Sequence, residues 1–320
     1  MRRRLLVVSL AVVALLLSAC AVPGERDDLT LRKKAADAGE VDAIFDRYRE
    51  VRDAAIDLLD PKPLSTVETG AVLAIDSGSF EVSQRLSTTQ RGLSRGLVVT
   101  HVETPAFSKY PLWFLATAYD PSAKVNRVQI FERESAVDPW LLVDAPQTLP
   151  EATLPEIRHG AHGAALVVKP DDGAGMSMSP QDAANAYAEV LADPTSAASG
   201  GIEQDDFIRQ MRKAAETNGS LKGVTFTQTW AAEDVRHVLR TDDGGALVFV
   251  TLLRQDTYDV DDGVTVTWPA GSPQQAFLAS GISTSGKLRY YHQVLLYVPG
   301  GDKKPRALGQ YGGVVGADGV

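Results

Sequence analysis

The chain has 320 residues, 44% hydrophobic and 23% charged, with a formal charge of −9 and a single cysteine. That composition suits a globular protein rather than a disordered or fibrous one, and the acidic balance leaves no electrostatic footprint for nucleic acid. One cysteine excludes an internal disulfide and a cysteine-ligated metal site.

Residues 1–20, MRRRLLVVSLAVVALLLSAC, lead the chain. Arg2, Arg3 and Arg4 form a basic start, residues 5–17 an apolar run interrupted only by Ser9, and small Ser18 and Ala19 precede Cys20. This is the layout of an export signal, and the apolar run is shorter than the ~20 residues a permanent transmembrane helix needs. The stretch Leu17-Ser18-Ala19-Cys20 resembles the lipobox of bacterial lipoproteins. The resemblance implies that Leu17, Ser18 and Ala19 are signal-peptidase recognition positions and that Cys20 carries the lipid and begins the mature chain. One acyl chain anchors weakly, so two or three, palmitate among them, are expected. The protein is therefore expected on the cell membrane, lipid-anchored on its extracytoplasmic face. Loss of the three arginines with the leader takes the formal charge from −9 to −12, too acidic to adhere to anionic lipid by charge.

Residues 20–40 are polar and charged and read as a flexible tether. The spacing of Val41, Ile44, Tyr48, Val51, Ala55 and Leu58 predicts an amphipathic helix over 41–59, with Arg and Asp on its other face and Pro61 and Pro63 stopping it. A weaker helical region covers 67–75 and resumes at 80–86, broken around Asp76-Ser77-Gly78. Strands are predicted at 96–103, 112–119, 125–134 and 140–144, with turn residues between them. Residues 145–163 read as a Pro- and Gly-bearing connector, followed by a short strand at 163–168.

A second cycle starts at Ser179-Pro180-Gln181-Asp182, where a serine N-cap, a proline at the first helical position and an acid three residues on predict a helix running to Asp193-Pro194. A further helix covers 205–216, and strands follow at 224–230, 235–240, 247–255, 264–268, 288–298 and 307–314. The expected class is α+β, with two tandem helix–helix–antiparallel-sheet units at 41–150 and 179–320 joined by a connector at 151–178. The layout resembles tandem nuclear-transport-factor-2-like or cystatin-like domains. It is also similar to uncharacterised actinobacterial lipoproteins in which an aromatic strand, here Tyr110, Trp113 and Phe114, precedes a Pro-Trp strand, here Pro139-Trp140. These resemblances imply compartment and fold, and no activity.

Candidate chemistry is sparse. His159 and His162, as H-G-A-H, have a spacing that permits a shared metal, but no third ligand is evident nearby and a solvated turn is the preferred reading. His101 and Glu103 fall on one face of a strand and are the candidates for an acid–base pair. The clusters Asp259/Asp261/Asp262 and Asp242-Asp243 lack the calcium-loop pattern and read as hairpin turns. No nucleophile elbow or phosphate loop is present, and no cofactor, metal or catalytic residue is assigned. The reading is of an envelope lipoprotein that binds a protein partner or a small apolar ligand without catalysis. The alternative is a small-molecule enzyme using the pair in a cone-shaped pocket.

Overall fold

Asp37 starts the first helix of the computed structural model, which describes residues 32–86 and 95–319. Its carboxylate accepts the Glu40 amide at 2.9 Å, an N-cap satisfying one of the free donors of α1, Ala38–Leu58. Val41, Phe45, Tyr48, Arg52 and Ala55 form the buried stripe, so Arg52, placed by the sequence pattern among the solvated charges, is in fact inside. Leu59 ends the helix in the left-handed conformation, its amide bonding back to α1.

The second helix, α2, runs unbroken over Gly70–Leu86, correcting the break expected at 76–78. Asp76 is buried there and takes hydrogen bonds from Arg52 and from the Tyr311 hydroxyl. Gly78 is a contact point, since a Cβ built on it would lie 2.2 Å from the Val314 carbonyl oxygen. The glycine lets helix and strand approach closely rather than ending the helix.

The strands are β1 (Lys33–Lys34), β2 (Val98–Glu103), β3 (Ala106–Phe107), β4 (Leu112–Asp120), β5 (Val125–Arg133), β6 (Leu141–Asp144) and β7 (Gln147–Thr148) in the first half. In the second half, α3 (Pro180–Ala192) and α4 (Asp206–Gly219) precede β8 (Val224–Ala232), β9 (Val238–Arg240), β10 (Ala246–Val260), β11 (Ser285–Val298) and β12 (Arg306–Gly319). Ser179 caps α3 as expected, accepting the Asp182 amide. The stretch 264–268 makes only an isolated bridge, Val266 to Ile282, and 163–168 likewise makes bridges rather than a strand. The short helix α5, Pro273–Phe277, follows within the long β10–β11 connection.

Ten strands form one sheet in the order β2-β4-β5-β7-β12-β11-β10-β8, with β6 beside β5 and β9 beside β10. Each half is thus an antiparallel meander, and the meanders meet at their last strands, where Gly309 faces Thr148 and Gln310 faces Gln147. Gly309 is required at this seam, because a Cβ there would sit 2.7 Å from the Gln147 carbonyl oxygen.

Three hydrophobic clusters fix the layers. Tyr187, Val190 and Phe207 of α3 and α4 pack on Trp230, Val248, Leu252 and Leu296. Val41, Phe45 and Tyr48 of α1, with Val72 and Ile75 of α2, pack on Phe114, Phe131 and Tyr311. A third cluster joins Trp113, Leu115 and Ile130 of the first half to Leu247, Phe249 and Leu295 of the second, with Ile157 and Ala165 between them. Residues from Lys33 onward form one compact unit, and both sheet and core continue across the 151–178 connector. No helix among the described residues is long and apolar enough to cross a membrane.

Candidate functional site

Where the first-half strands fold over β10, a cavity of about 450 Å³ opens between the halves, within the ~300–1,000 Å³ range of small-molecule sites. β5 supplies Glu132, β6 supplies Val143 and Asp144, the start of α2 supplies Gly70, β10 supplies Phe249 and Thr251, and the segment before β9 supplies Glu233, Asp234, Arg236 and His237.

His237 is the hinge-pin of this arrangement. Its Nδ1 lies 2.9 Å from Asp144 Oδ2 and its Nε2 2.7 Å from Glu132 Oε2. The Trp113 ring packs edge-on against it, with centroids 5.3 Å apart. His237 is only 4% exposed. Burial alone lowers the basicity of an imidazole, but hydrogen bonds and charge from Asp144 and Glu132 outweigh it and push the pKa up to about 9. Glu132 is shifted the other way: burial raises its pKa, but His237 and Arg236 hold it below the usual carboxylate range. With an acid on each side, both ring nitrogens donate. Such an imidazolium has no lone pair for general-base chemistry.

The second cation, Arg236, donates to Glu132 at 2.8 Å and to Glu134 at 3.1 Å. Gln293 donates to Asp144 at 3.1 Å and accepts the Ala145 amide, tying β11 to the same carboxylate. The charges then fail to balance. Six carboxylates line the cavity (Glu132, Glu134, Asp138, Asp144, Glu233 and Asp234) against Arg236 and His237. Glu233 and Asp234 make no ion pair with a described residue. Partial burial, Asp144 and Asp234 together raise the Glu233 pKa, a mark of crowded like charge.

The candidates read from the sequence lie elsewhere. His101 Nε2 and His159 Nε2 each approach the buried Glu103, at 2.7 Å from Oε1 and 2.7 Å from Oε2 respectively. The carboxylate thus pins the connector to β2. His101 and Glu103 border a cavity of about 340 Å³, but each Glu103 oxygen already faces an imidazole. His162 is exposed, with φ 62°, and does not join the cluster. Asp243 is a turn-holding acid: partial burial opposes its ionisation, but bonds from Thr241, Tyr297 and the Gly245 and Gly300 amides outweigh it and lower its pKa. His292 is buried among Phe207, Trp230 and Tyr290, and burial followed by the Arg254 charge pushes its pKa down to about 3. Among the described residues, no group of three His, Cys, Asp or Glu side chains is placed to hold a metal ion. Leu17, Ser18, Ala19 and Cys20 lie outside the described residues.

The His237 cluster escaped sequence reasoning because its members are far apart. Asp144 and Glu132 are 93 and 105 positions from His237. Glu132 lies on β5 and Glu134 just past its end, and Arg236, which bonds both, follows 104 and 102 positions later, so no local signal links them.

A family model described as "Domain of unknown function (DUF8094)" matches residues 32–319. An "uncharacterized lipoprotein" of Streptomyces avermitilis is 27% identical over 293 residues, covering 86% of this chain and 85% of that protein. Another, of Streptomyces coelicolor, is 25% identical over 266 residues, covering 82% and 79%. No solved structure matches.

Proposed function

The chain belongs to the DUF8094 family, and from that starting point we propose that it is a lipoprotein anchored through Cys20 on the extracytoplasmic face of the cell membrane, where it binds a cationic small molecule without catalysis. The carrying observation is the cavity between the halves, in which Glu233 and Asp234 stand without a paired cation beside a fully hydrogen-bonded His237. An ammonium or guanidinium group entering there relieves like-charge crowding. Leu141, Val143 and Phe249 offer apolar walls for an attached alkyl segment. This favours an amine with a short hydrocarbon body over a purely apolar ligand. His237 holds the walls in register and transfers no proton.

The mirrored strand order and the paired helices of each half support reading the fold as two fused α+β units. On that reading the cavity is an inter-unit site. The two lipoprotein relatives support the anchoring.

The test compares thermal midpoints of the detergent-solubilised full chain with butane-1,4-diammonium and with butane-1,4-diol. Ligand binding to the native state raises the midpoint. The diammonium is expected to raise it and the diol to leave it unchanged, and Glu233→Gln with Asp234→Asn is expected to abolish the rise. An equal response to both compounds, or an unaltered rise in the double variant, overturns the proposal.

A further inference from the structure

The sheet ends on β8, and among the described residues no strand pairs with its outer edge. β8 (VTFTQTWAA) spans nine residues without a charge or a proline, whereas edge strands are ordinarily blunted by lysine, proline, bulges or covering segments. The opposite edge has such devices: β2 carries a register shift between Val99 and His101, and beyond it the Thr104 carbonyl accepts the Ala165 amide. On β8, pairing with β10 runs in register from Val224 to Ala232. Among the described residues, no other segment makes a backbone hydrogen bond to residues 224–232.

We propose that β8 is a dimer interface, pairing antiparallel with β8 of a second copy about a two-fold axis normal to the sheet at Gln228. Such an axis keeps each face of the sheet on its own side, so residues at equal distances either side of Gln228 become neighbours. The whole strand is then used, because Gln228 is its central residue. Two features make the edge complementary to itself. On the exposed face, Thr227 meets the partner's Thr229, and Thr225 meets the partner's Ala231. On the other face, Phe226 meets the partner's Trp230, an aromatic cross-strand pair. Gln228 is already held there, donating to Asp256 at 2.8 Å and accepting from Trp230 at 2.7 Å.

A net-acidic chain that otherwise repels its own copies thus presents an uncharged strand to a second copy. The isologous geometry closes after two subunits and consumes the open edge of both.

The test uses the detergent-solubilised full chain, with protein mass from light scattering at about 100 µM, where a micromolar dimer is populated. Thr227 and Thr229 are exposed, and circular dichroism checks that the variants fold. The unaltered chain is expected to have twice the mass of one chain. Thr227→Lys with Thr229→Lys sets like charges opposite and is expected to give monomers. Thr227→Lys with Thr229→Glu sets opposite charges together and is expected to remain dimeric. A monomeric unaltered chain, or two double variants that behave alike, overturns the proposal.

Discussion

Alkaline pH removes the charge that holds the two halves together at His237. An unfolded histidine titrates near 6.5, and this one is pushed up to about 9 in the fold. A tenfold change in proton affinity corresponds to ~1.4 kcal/mol, so protonation of this ring contributes about 3 kcal/mol. Because the folded value is raised, that contribution is complete below about pH 6.5 and is lost as pH rises through about 9. Against a typical domain stability of ~5–15 kcal/mol the loss is large. Buried tyrosines such as Tyr187, also raised, act only above their unfolded value of about 10. Glu132 has the opposite sign: held low in the fold, it loses its contribution as pH falls below about 4.5. The assay is urea unfolding of the full chain at about pH 6, 7.5 and 9. The unaltered protein is expected to lose most of the ~3 kcal/mol across that range. His237→Gln is expected to start lower, by about 3–5 kcal/mol for a broken buried pair, and to stay flat. Stability that is level from pH 6 to 9, or an equal decline in the Gln variant, refutes the reasoning.

Gly78→Ala is expected to destabilise by about 1–3 kcal/mol despite alanine's better helix propensity, because the new Cβ meets a β12 carbonyl; thermal unfolding reads it. Arg52→Met leaves Glu68 and Asp76 buried without their shared cation and is expected to cost about 3–5 kcal/mol, measured by urea midpoint. Cys20→Ala is expected to move the protein from the membrane to the soluble fraction of its host; continued sedimentation with membranes contradicts the anchoring.

Local signals were legible and long-range ones were not. Ser179, Pro180 and Asp182 announce α3 because capping chemistry lies within one turn. Gly78 and Arg52 misled for one reason: their roles depend on partners elsewhere in the chain. Val314 is what makes a glycine necessary in mid-helix. Glu68 and Asp76 are what let an arginine occupy the apolar stripe of α1. The residues 264–268 alternate like a strand but find only Ile282 as a partner, and pack with Tyr258 and Leu288 as a satellite cluster. At the sites, alternation placed His101 beside Glu103, but His159 reaches the same carboxylate from 56 residues away. The acid-walled cavity was invisible because its members come from both meanders, which come together only through the β7–β12 seam and the shared core of the folded chain.

The most direct measurement is a crystal structure of the full chain with butane-1,4-diammonium. An ammonium nitrogen is expected within ~3 Å of the Glu233 or Asp234 carboxylate, with both His237 nitrogens still bonded to Glu132 and Asp144. A cavity without ligand at saturating diammonium, or one in which Glu233 and Asp234 are paired with the protein's own cations, contradicts a cation-binding role.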